Sequence, residues 1–273
     1  MLPPRGADPN KEQSFVLRGW AVRPNKVREI WASGGVVKNG WLALESTMAA
    51  EGMASVGWDS CTVDLQHGFA DELSARQLFQ TIGRFDCTPM ARVAWNDPAK
   101  IMRVLDDGCY GIICPMVNTP EDAAMLVKNS KFPPQGERSY GPQRGLLYGG
   151  ADYAAKANET IINMAMIETR EAMSNLETIC KTDGIDGIYV GPSDLALSLG
   201  HLPAGVPTNA EVVGAIEEIV RRARDCGVVA GIHCGSVEMA KDWIGKGFQF
   251  VTVYTDFVAM VTKARENLTA LNE

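Results

Sequence analysis

The chain has 273 residues, 46% of them hydrophobic, and a formal net charge of -7 at pH 7. That length and apolar fraction suffice for one large α/β core or two ordinary ones. Lys and Arg are scattered through an acidic chain, which leaves no electrostatic footprint for nucleic acid or an anionic membrane and keeps small polar ligands open as partners.

Residues 1–24, rich in Pro, Gly and charge, read as an N-terminal extension outside the core or covering its bottom. Their start, MLPPRGADPNKEQ, lacks the apolar centre of a signal peptide, and no later apolar run reaches the roughly 18 to 20 residues of a membrane span. Cytoplasmic residence is the resulting expectation. From Asn25 the pattern becomes regular. Eight apolar, β-branched runs, at 36–45, 60–66, 88–95, 110–117, 161–168, 185–191, 228–234 and 248–254, each read as a buried parallel strand. Helices fill the gaps. Asp97-Pro98 opens one whose stripe is Ile101, Val104 and Leu105 and which Gly108 closes; Thr119-Pro120, with Glu121 and Asp122, opens the next.

The stretch 133–150, PPQGERSYGPQRGLLYGG, is too long for a plain connection. Its Arg138, Tyr140 and Arg144 are expected near the strand ends, holding a substrate or, the favoured reading, bracing a subunit contact. The longest helix starts at Asn209, shows Val212, Val213, Ile216, Ile219, Val220 and Ala223 on one face, and ends at Gly227. Strand and helix alternating eight times predict a single-domain (β/α)8 TIM barrel over 25–273. A doubly wound sheet would want a Gly-rich phosphate turn, and neither GxGxxG nor GxxxxGK[ST] occurs. The seven cysteines follow no disulfide or zinc spacing and read as reduced core residues.

Barrels deliver chemistry from the C-terminal ends of their strands, so polar residues there are the candidates. Asp64 and His67 end the second strand in DLQHG. Their spacing allows the carboxylate to fix the tautomer of the imidazole and raise its basicity. Arg92 interrupts the apolar run MARVAW and demands anionic company, either a substrate or a barrel carboxylate such as Glu45. Glu168 closes the run IINMAMI, apolar but for Asn163, and Asp194 follows the next strand in GPSD. The two carboxylates would face one mouth, with hard oxygens suited to Mg2+ or Mn2+. Taken singly, Glu168 reads rather as a helix N-terminus acid and Asp194 as a cap; two carboxylates at matched strand ends weaken those readings jointly. His233 reads as a lining residue and His201 as loop.

These residues, with VLDDG (104–108), PMVNTPEDA (115–123), PPQGERSYG (133–141), IET (167–169) and DGIYVGPSDLALSLG (186–200), resemble a known family from about Asn25 onward. It is that of the metal-dependent class II pyruvate aldolases typified by 4-hydroxy-2-oxoheptanedioate aldolase, with 2-dehydro-3-deoxyglucarate aldolase and macrophomate synthase as relatives. The resemblance implies that Glu168 and Asp194 hold a divalent metal (Mg2+, Mn2+ or Co2+), which pyruvate chelates through its keto and carboxylate oxygens. It implies that Arg92 contacts the keto oxygen and steadies the enolate, and that His67 and Asp64 form a proton-handling dyad working through metal-bound water. Asp106 would support the site. The GPSD turn around Gly191, Ser193 and Asp194 would hold the carboxylate. The chain would assemble as a trimer or hexamer of barrels, exchanging the last helix between partners. Gln66 stands where typical members carry a glutamate and Trp95 where a polar residue is common, so the aldehyde acceptor stays open.

The implied reaction is the cleavage or formation of 4-hydroxy-2-oxo acids from a 2-oxo acid and an aldehyde. An enolate places charge on the keto oxygen, where a cation and a fixed guanidinium stabilise it, and retro-aldol cleavage needs a base for the C4 hydroxyl proton. Rival readings are a Schiff-base aldolase, a CoA-thioester lyase, an oxaloacetate decarboxylase or macrophomate-synthase-like chemistry, and a non-catalytic 2-oxo acid binder. The first needs a lysine at a strand's C-terminal end, and only Lys38, at the start of the first strand, lies on one. The second wants a basic groove, absent from this composition.

Overall fold

The computed structural model describes residues 22–272. Eight strands close into a parallel barrel: β1 (Val37–Leu42), β2 (Ser60–Asp64), β3 (Thr88–Arg92), β4 (Gly111–Cys114), β5 (Ile162–Ile167), β6 (Gly187–Val190), β7 (Val229–Cys234) and β8 (Phe250–Val253). Each lies inside the apolar run expected for it. Covered by helices outside and by each other inside, these strands bury nearly every residue, which is why they read as unbroken runs rather than alternations. β1 pairs with β8 to close the ring, and the register sets Asp64 directly beside Arg92.

The helices begin where their caps place them. Asp97 accepts the N–H of Lys100 at 2.9 Å, Thr119 and Asp122 form a reciprocal capping box, and Asn209 accepts from Glu211 at 2.9 Å. Helix Ala210–Asp225 buries five of the six apolar positions expected on its inner face, and Val213 packs against the core half-buried.

Two apolar cores result. One lies between strands and helices. The other fills the lumen, where Met90, Met164, Met166, Trp41, Tyr189 and Phe250 pack together. Helix Lys26–Ala32 plugs the lumen from below: Val27 is fully buried, and Asn25 donates to the carbonyls of Tyr110 and Thr160 at 3.1 and 2.8 Å. Of the expected extension, residues 1–21 lie outside those described. Arg23 binds the underside, its N–H reaching the Gly149 carbonyl at 2.9 Å.

The segment 133–150 is not at the catalytic strand ends. It follows helix Pro120–Ser130, which carries the chain from the mouth to the foot, and leads back into β5. Arg138 is buried there, its Nη2 donating to Asp106 at 2.7 Å and its guanidinium 4.4 Å from the Phe132 ring. Arg144 donates to the Asp107 carbonyl, and Tyr140 is exposed. Arg138 and Arg144 thus brace the foot of their own chain. The last helix, Asp256–Asn272, has Asp256 as its one buried residue; that carboxylate accepts the N–H of Ala43 at 2.7 Å and pins the helix to the end of β1. Among the described residues no helix is long and apolar enough to cross a membrane.

Candidate active site

A cavity of about 630 Å³ opens at the C-terminal ends of the strands. Asp64, His67, Arg92, Gly191, Ser193, Asp194 and His233 line it, joined by Trp41, Tyr189 and Phe257. Sequence reasoning left out the last three. Trp41 and Tyr189 are the single aromatic residues of β1 and β6, a signal equally consistent with lumen packing.

Arg92 finds its anion in the neighbouring strand. Its Nε donates to Asp64 Oδ1 at 2.8 Å and its Nη2 to Oδ2 at 2.5 Å, a two-point contact that fixes the plane of the guanidinium. Trp41 supplies a third anchor, its Nε1 donating to Asp64 Oδ2 at 3.2 Å while its ring lies 5.0 Å below the guanidinium carbon. Burial opposes ionisation of Asp64, but the hydrogen bonds and charge of Arg92 outweigh it and hold the carboxyl below the usual range. Glu45 is exposed and takes no part.

The Asp64–His67 pair differs from expectation. Asp64 Oδ1 accepts the backbone N–H groups of Gln66 and His67 at 3.1 and 3.2 Å, and the imidazole makes no hydrogen bond to it. The physical reason is that β2 ends at Asp64 and the chain bends over the carboxylate, which Arg92 already occupies on both oxygens. His67 is fixed through its backbone and its ring stands exposed in the cavity. Gln66 contributes only that backbone contact and does not line the cavity.

Glu168 follows β5 and is 2% exposed. Its Oε1 accepts the N–H of Met116 at 2.8 Å; Met116 is held at φ 54°, an uncommon conformation for a side-chain-bearing residue. Oε2 faces Gly191, where a Cβ would come within 2.5 Å of it, so glycine keeps that oxygen uncrowded. Burial pushes the Glu168 carboxyl up to about 7; the Asp194 charge adds to this, while the Met116 N–H and Arg92 act against it. Asp194 sits in the first turn of helix Pro192–Ser198, exposed to the cavity. Among the described residues no three His, Cys, Asp or Glu side chains are arranged around one point. A cation here would be held by two carboxylates and complete its shell with water or substrate oxygens, the usual habit of Mg2+ and Mn2+. Glu168 itself is not among the side chains that line the cavity, but a buried carboxylate that resists ionising, whose Oε2 takes no protein hydrogen bond among the described residues and which feels the charge of Asp194, fits such an ion.

Asp106 is not brought to the mouth within the chain. It ends helix Pro98–Asp106 at the foot of the barrel and pairs with Arg138. Trp95 is exposed outside the cavity, and His201 pairs with Glu211 at 2.7 Å in a loop.

The chain is similar to a hydroxypyruvate/pyruvate aldolase of Rhizorhabdus wittichii, with 43% identity over 242 residues, 89% of this chain and 96% of that protein. It is 34% identical over 233 residues to a 4-hydroxy-2-oxo-heptane-1,7-dioate aldolase of Klebsiella pneumoniae subsp. pneumoniae, covering 84% of this chain and 87% of that one. A solved structure of an HpcH/HpaI aldolase/citrate lyase family protein from Burkholderia cenocepacia superposes with a TM-score of 0.86 at 28% identity, over 91% of this chain and all of that one. Residues 39–262 match the family as a whole, and the chain belongs to the HpcH/HpaI aldolase/citrate lyase family as a carbon–carbon lyase of the aldolase type.

Proposed function

We propose that this cavity is the active site of a divalent-metal-dependent aldolase that cleaves or forms 4-hydroxy-2-oxo acids, using pyruvate or a close analogue and an aldehyde. The observation that carries the reading is the setting of Glu168: buried, pushed up to about 7, with one oxygen open beside Asp194 and within the field of Arg92. Mg2+, Mn2+ or Co2+ held by Glu168 and Asp194 would supply positive charge to the keto and carboxylate oxygens of the 2-oxo acid.

The chain's own residues divide the remaining work. Arg92, its plane set by Asp64 and Trp41, hydrogen-bonds the keto oxygen and stabilises the negative charge that develops there. The N–H groups of Ser193 and Asp194, in the turn after Gly191, receive the substrate carboxylate; Pro192 has no N–H to offer. In cleavage His67 takes the proton from the C4 hydroxyl. The C3–C4 bond breaks, its electron pair passes into the enolate, and the aldehyde leaves. Protonation at C3 then releases the 2-oxo acid; synthesis runs these steps in reverse. Asp64 acts as the positioning residue for both Arg92 and the His67 turn.

The names of the relatives support this donor class. Against a Schiff base, the buried lysine with a lowered pKa, about 8, is Lys131, whose Nζ donates to the carbonyls of Asn158 and Ile161 at 2.7 Å each, at the foot of β5. Assembly with further copies fits the last helix, which leaves Phe257, Met260, Leu268 and Leu271 exposed at 39, 53, 62 and 83%. A panel of aldehydes and 2-oxo acids, run with EDTA and after restoring each cation, tests the function. Activity that survives EDTA, or inactivation by borohydride plus pyruvate, would overturn it.

A further inference from the structure

The proposed reaction accounts for one half of the mouth. Arg92 ends β3, Glu168 follows β5 and Asp194 follows β6, so in the closed ring the 2-oxo acid belongs to the side of β3 to β6. The ends of β7, β8, β1 and β2 face it. His67, after β2, stands where the two halves meet, and as the base for the C4 hydroxyl it fixes the aldehyde carbon beside itself. The remainder of the aldehyde then extends over the half that the donor does not fill.

That half carries two phenylalanines held in place by backbone. Leu65 to Gly68 turn tightly over Asp64: a Cβ on Gly68 would fall 2.2 Å from the Asp64 carbonyl oxygen, so glycine permits the turn. The chain then returns to β1, where the Phe69 N–H donates to the Ala43 carbonyl at 2.8 Å. Phe257 opens the last helix, and its N–H donates to the Asp256 carboxylate at 2.8 Å, the same group that holds the Ala43 N–H at 2.7 Å. The two rings meet edge to face at 5.8 Å and 75°. Both line the cavity, with Ala43 and Val258 beside them, and both keep exposed area that no core packing consumes.

The charges there are one-sided. Arg92 is the one Lys or Arg among the described residues that line the cavity, and Asp64 and the keto oxygen claim it. Beneath the phenylalanine pair lies the carboxylate of Asp256, 7% exposed, with backbone N–H groups as its hydrogen-bond donors. A second carboxylate on the aldehyde would therefore lose water against an apolar wall, find no cation and sit in a negative field. An apolar substituent loses nothing by the same move and covers the two rings.

We propose that Phe69 and Phe257 form the acceptor wall of the site and select uncharged aldehydes with an apolar substituent over aldehydes that carry a second carboxylate. This rests on the aldolase reading and adds to it the class of acceptor and the two residues that determine it. The covalent steps are those already given.

The test compares 4-methylpentanal with its anionic isostere 4-oxobutanoate, and with acetaldehyde, whose methyl group is too short to span the wall. Pyruvate is the donor, with saturating Mn2+. The wild type should prefer 4-methylpentanal to 4-oxobutanoate by at least about a hundredfold in kcat/KM, the scale of leaving a desolvated polar group unpaired. In Phe257→Ala the ratio of 4-methylpentanal to acetaldehyde should fall about tenfold, mostly through the KM of the longer aldehyde. Phe69→Ala, at a more exposed position, should lower it about threefold and serves should the first variant not fold. Phe257→Arg, which supplies the missing cation, should raise kcat/KM for 4-oxobutanoate at least about tenfold. A structural role would depress all aldehydes together and leave the ratios unmoved, and a pair buried between copies of the chain would change the assembly on gel filtration with the ratios equally unmoved; either result overturns the inference. A wild type that takes 4-oxobutanoate as readily as its isostere overturns it too, leaving the aldolase intact. A wild type that uses no aldehyde and does not exchange the methyl protons of pyruvate into D2O defeats the aldolase reading itself.

Discussion

The two ends of this barrel use the same residue types to opposite effect. At the foot, charged groups meet protein partners: Arg28 reaches Asp186 at 2.8 Å and the Thr160 and Ile161 carbonyls, Arg138 pairs with Asp106, and Lys131 is tied to two carbonyls, while the orphaned atoms there, Arg138 Nε, Asp107 Oδ2 and the Tyr110 hydroxyl, are sealed away from any ligand. At the mouth four groups keep something back. Arg92 has an Nη1 without a protein partner among the described residues, Glu168 an open Oε2, His233 a free Nε2, and Asp194 a carboxylate in solvent. Buried polar groups stabilise a fold when satisfied and become chemistry when one valence is left for a ligand. The difference predicts that substitutions at the foot are felt first in stability and those at the mouth first in turnover or ligand binding.

The largest departure from that division should come from Arg92, which serves both ends of the distinction. Arg92→Ala removes the donor to the keto oxygen, and a loss of about a thousandfold in kcat is expected. It also strands Asp64, a buried carboxylate, at a cost of about 3 to 5 kcal/mol. Steady-state kinetics and urea denaturation on the same preparation separate the two effects. Arg92→Lys keeps the charge but not the fork and should remain at least about a hundredfold impaired. Near-normal rates in the alanine variant would remove the ground for assigning the site.

At the foot, Arg138→Leu leaves Asp106 and the Tyr153 hydroxyl without their partner. The expected loss is about 3 kcal/mol, a fall in Tm of roughly 6 to 12 °C for a domain of this size. A fall in kcat well below the melting range, with Tm unchanged, would mean that this ion pair belongs functionally to the mouth.

Glu168 sharpens the contrast from the side of the ligand. A cation at a hundred times its Kd should stabilise the wild type by about 2.7 kcal/mol, and Glu168→Gln should abolish most of that gain. Because the carboxyl is raised to about 7, protons compete for it, and the cation-induced rise in Tm is expected to shrink as pH falls through 7. A rise independent of both pH and Glu168 would place the ion elsewhere.

How much of this was legible in the sequence follows from the range of each interaction. Strands β1 to β8 were readable because burial on both faces leaves an unbroken apolar run, and helix starts because a cap and its partner sit three residues apart, as at Asp97 and Lys100. Asp64 and Arg92 were both singled out, yet their partnership was not, since it depends on the register between β2 and β3, 28 positions apart. Proximity in sequence suggested His67 for Asp64 instead, a pairing lost because the chain bends where the strand ends. The segment 133–150 was put at the wrong end although the rule was available: a connection that follows a helix returns to the foot. His233 read correctly as a lining residue, but its contact with Tyr189 depends on the register between β6 and β7, 44 positions apart.

The smallest expected effect concerns that last residue and checks whether the mouth imposes neutrality on it. Its pKa is lowered to about 4 from an ordinary 6.5, so below pH 6.5 the unfolded chain takes up a proton that the folded one refuses. Stability from this group is therefore complete above 6.5 and drains away as the pH drops, about 2 kcal/mol being lost between 6.5 and 5. Paired urea titrations of the wild type and His233→Gln at pH 7 and pH 5 isolate the term, because every other titrating group is common to both. The wild type should lose about 2 kcal/mol more than the variant over that interval. An equal loss in both would mean that the imidazole protonates freely in the folded chain, so the floor of the cavity would present a cation rather than a neutral ring.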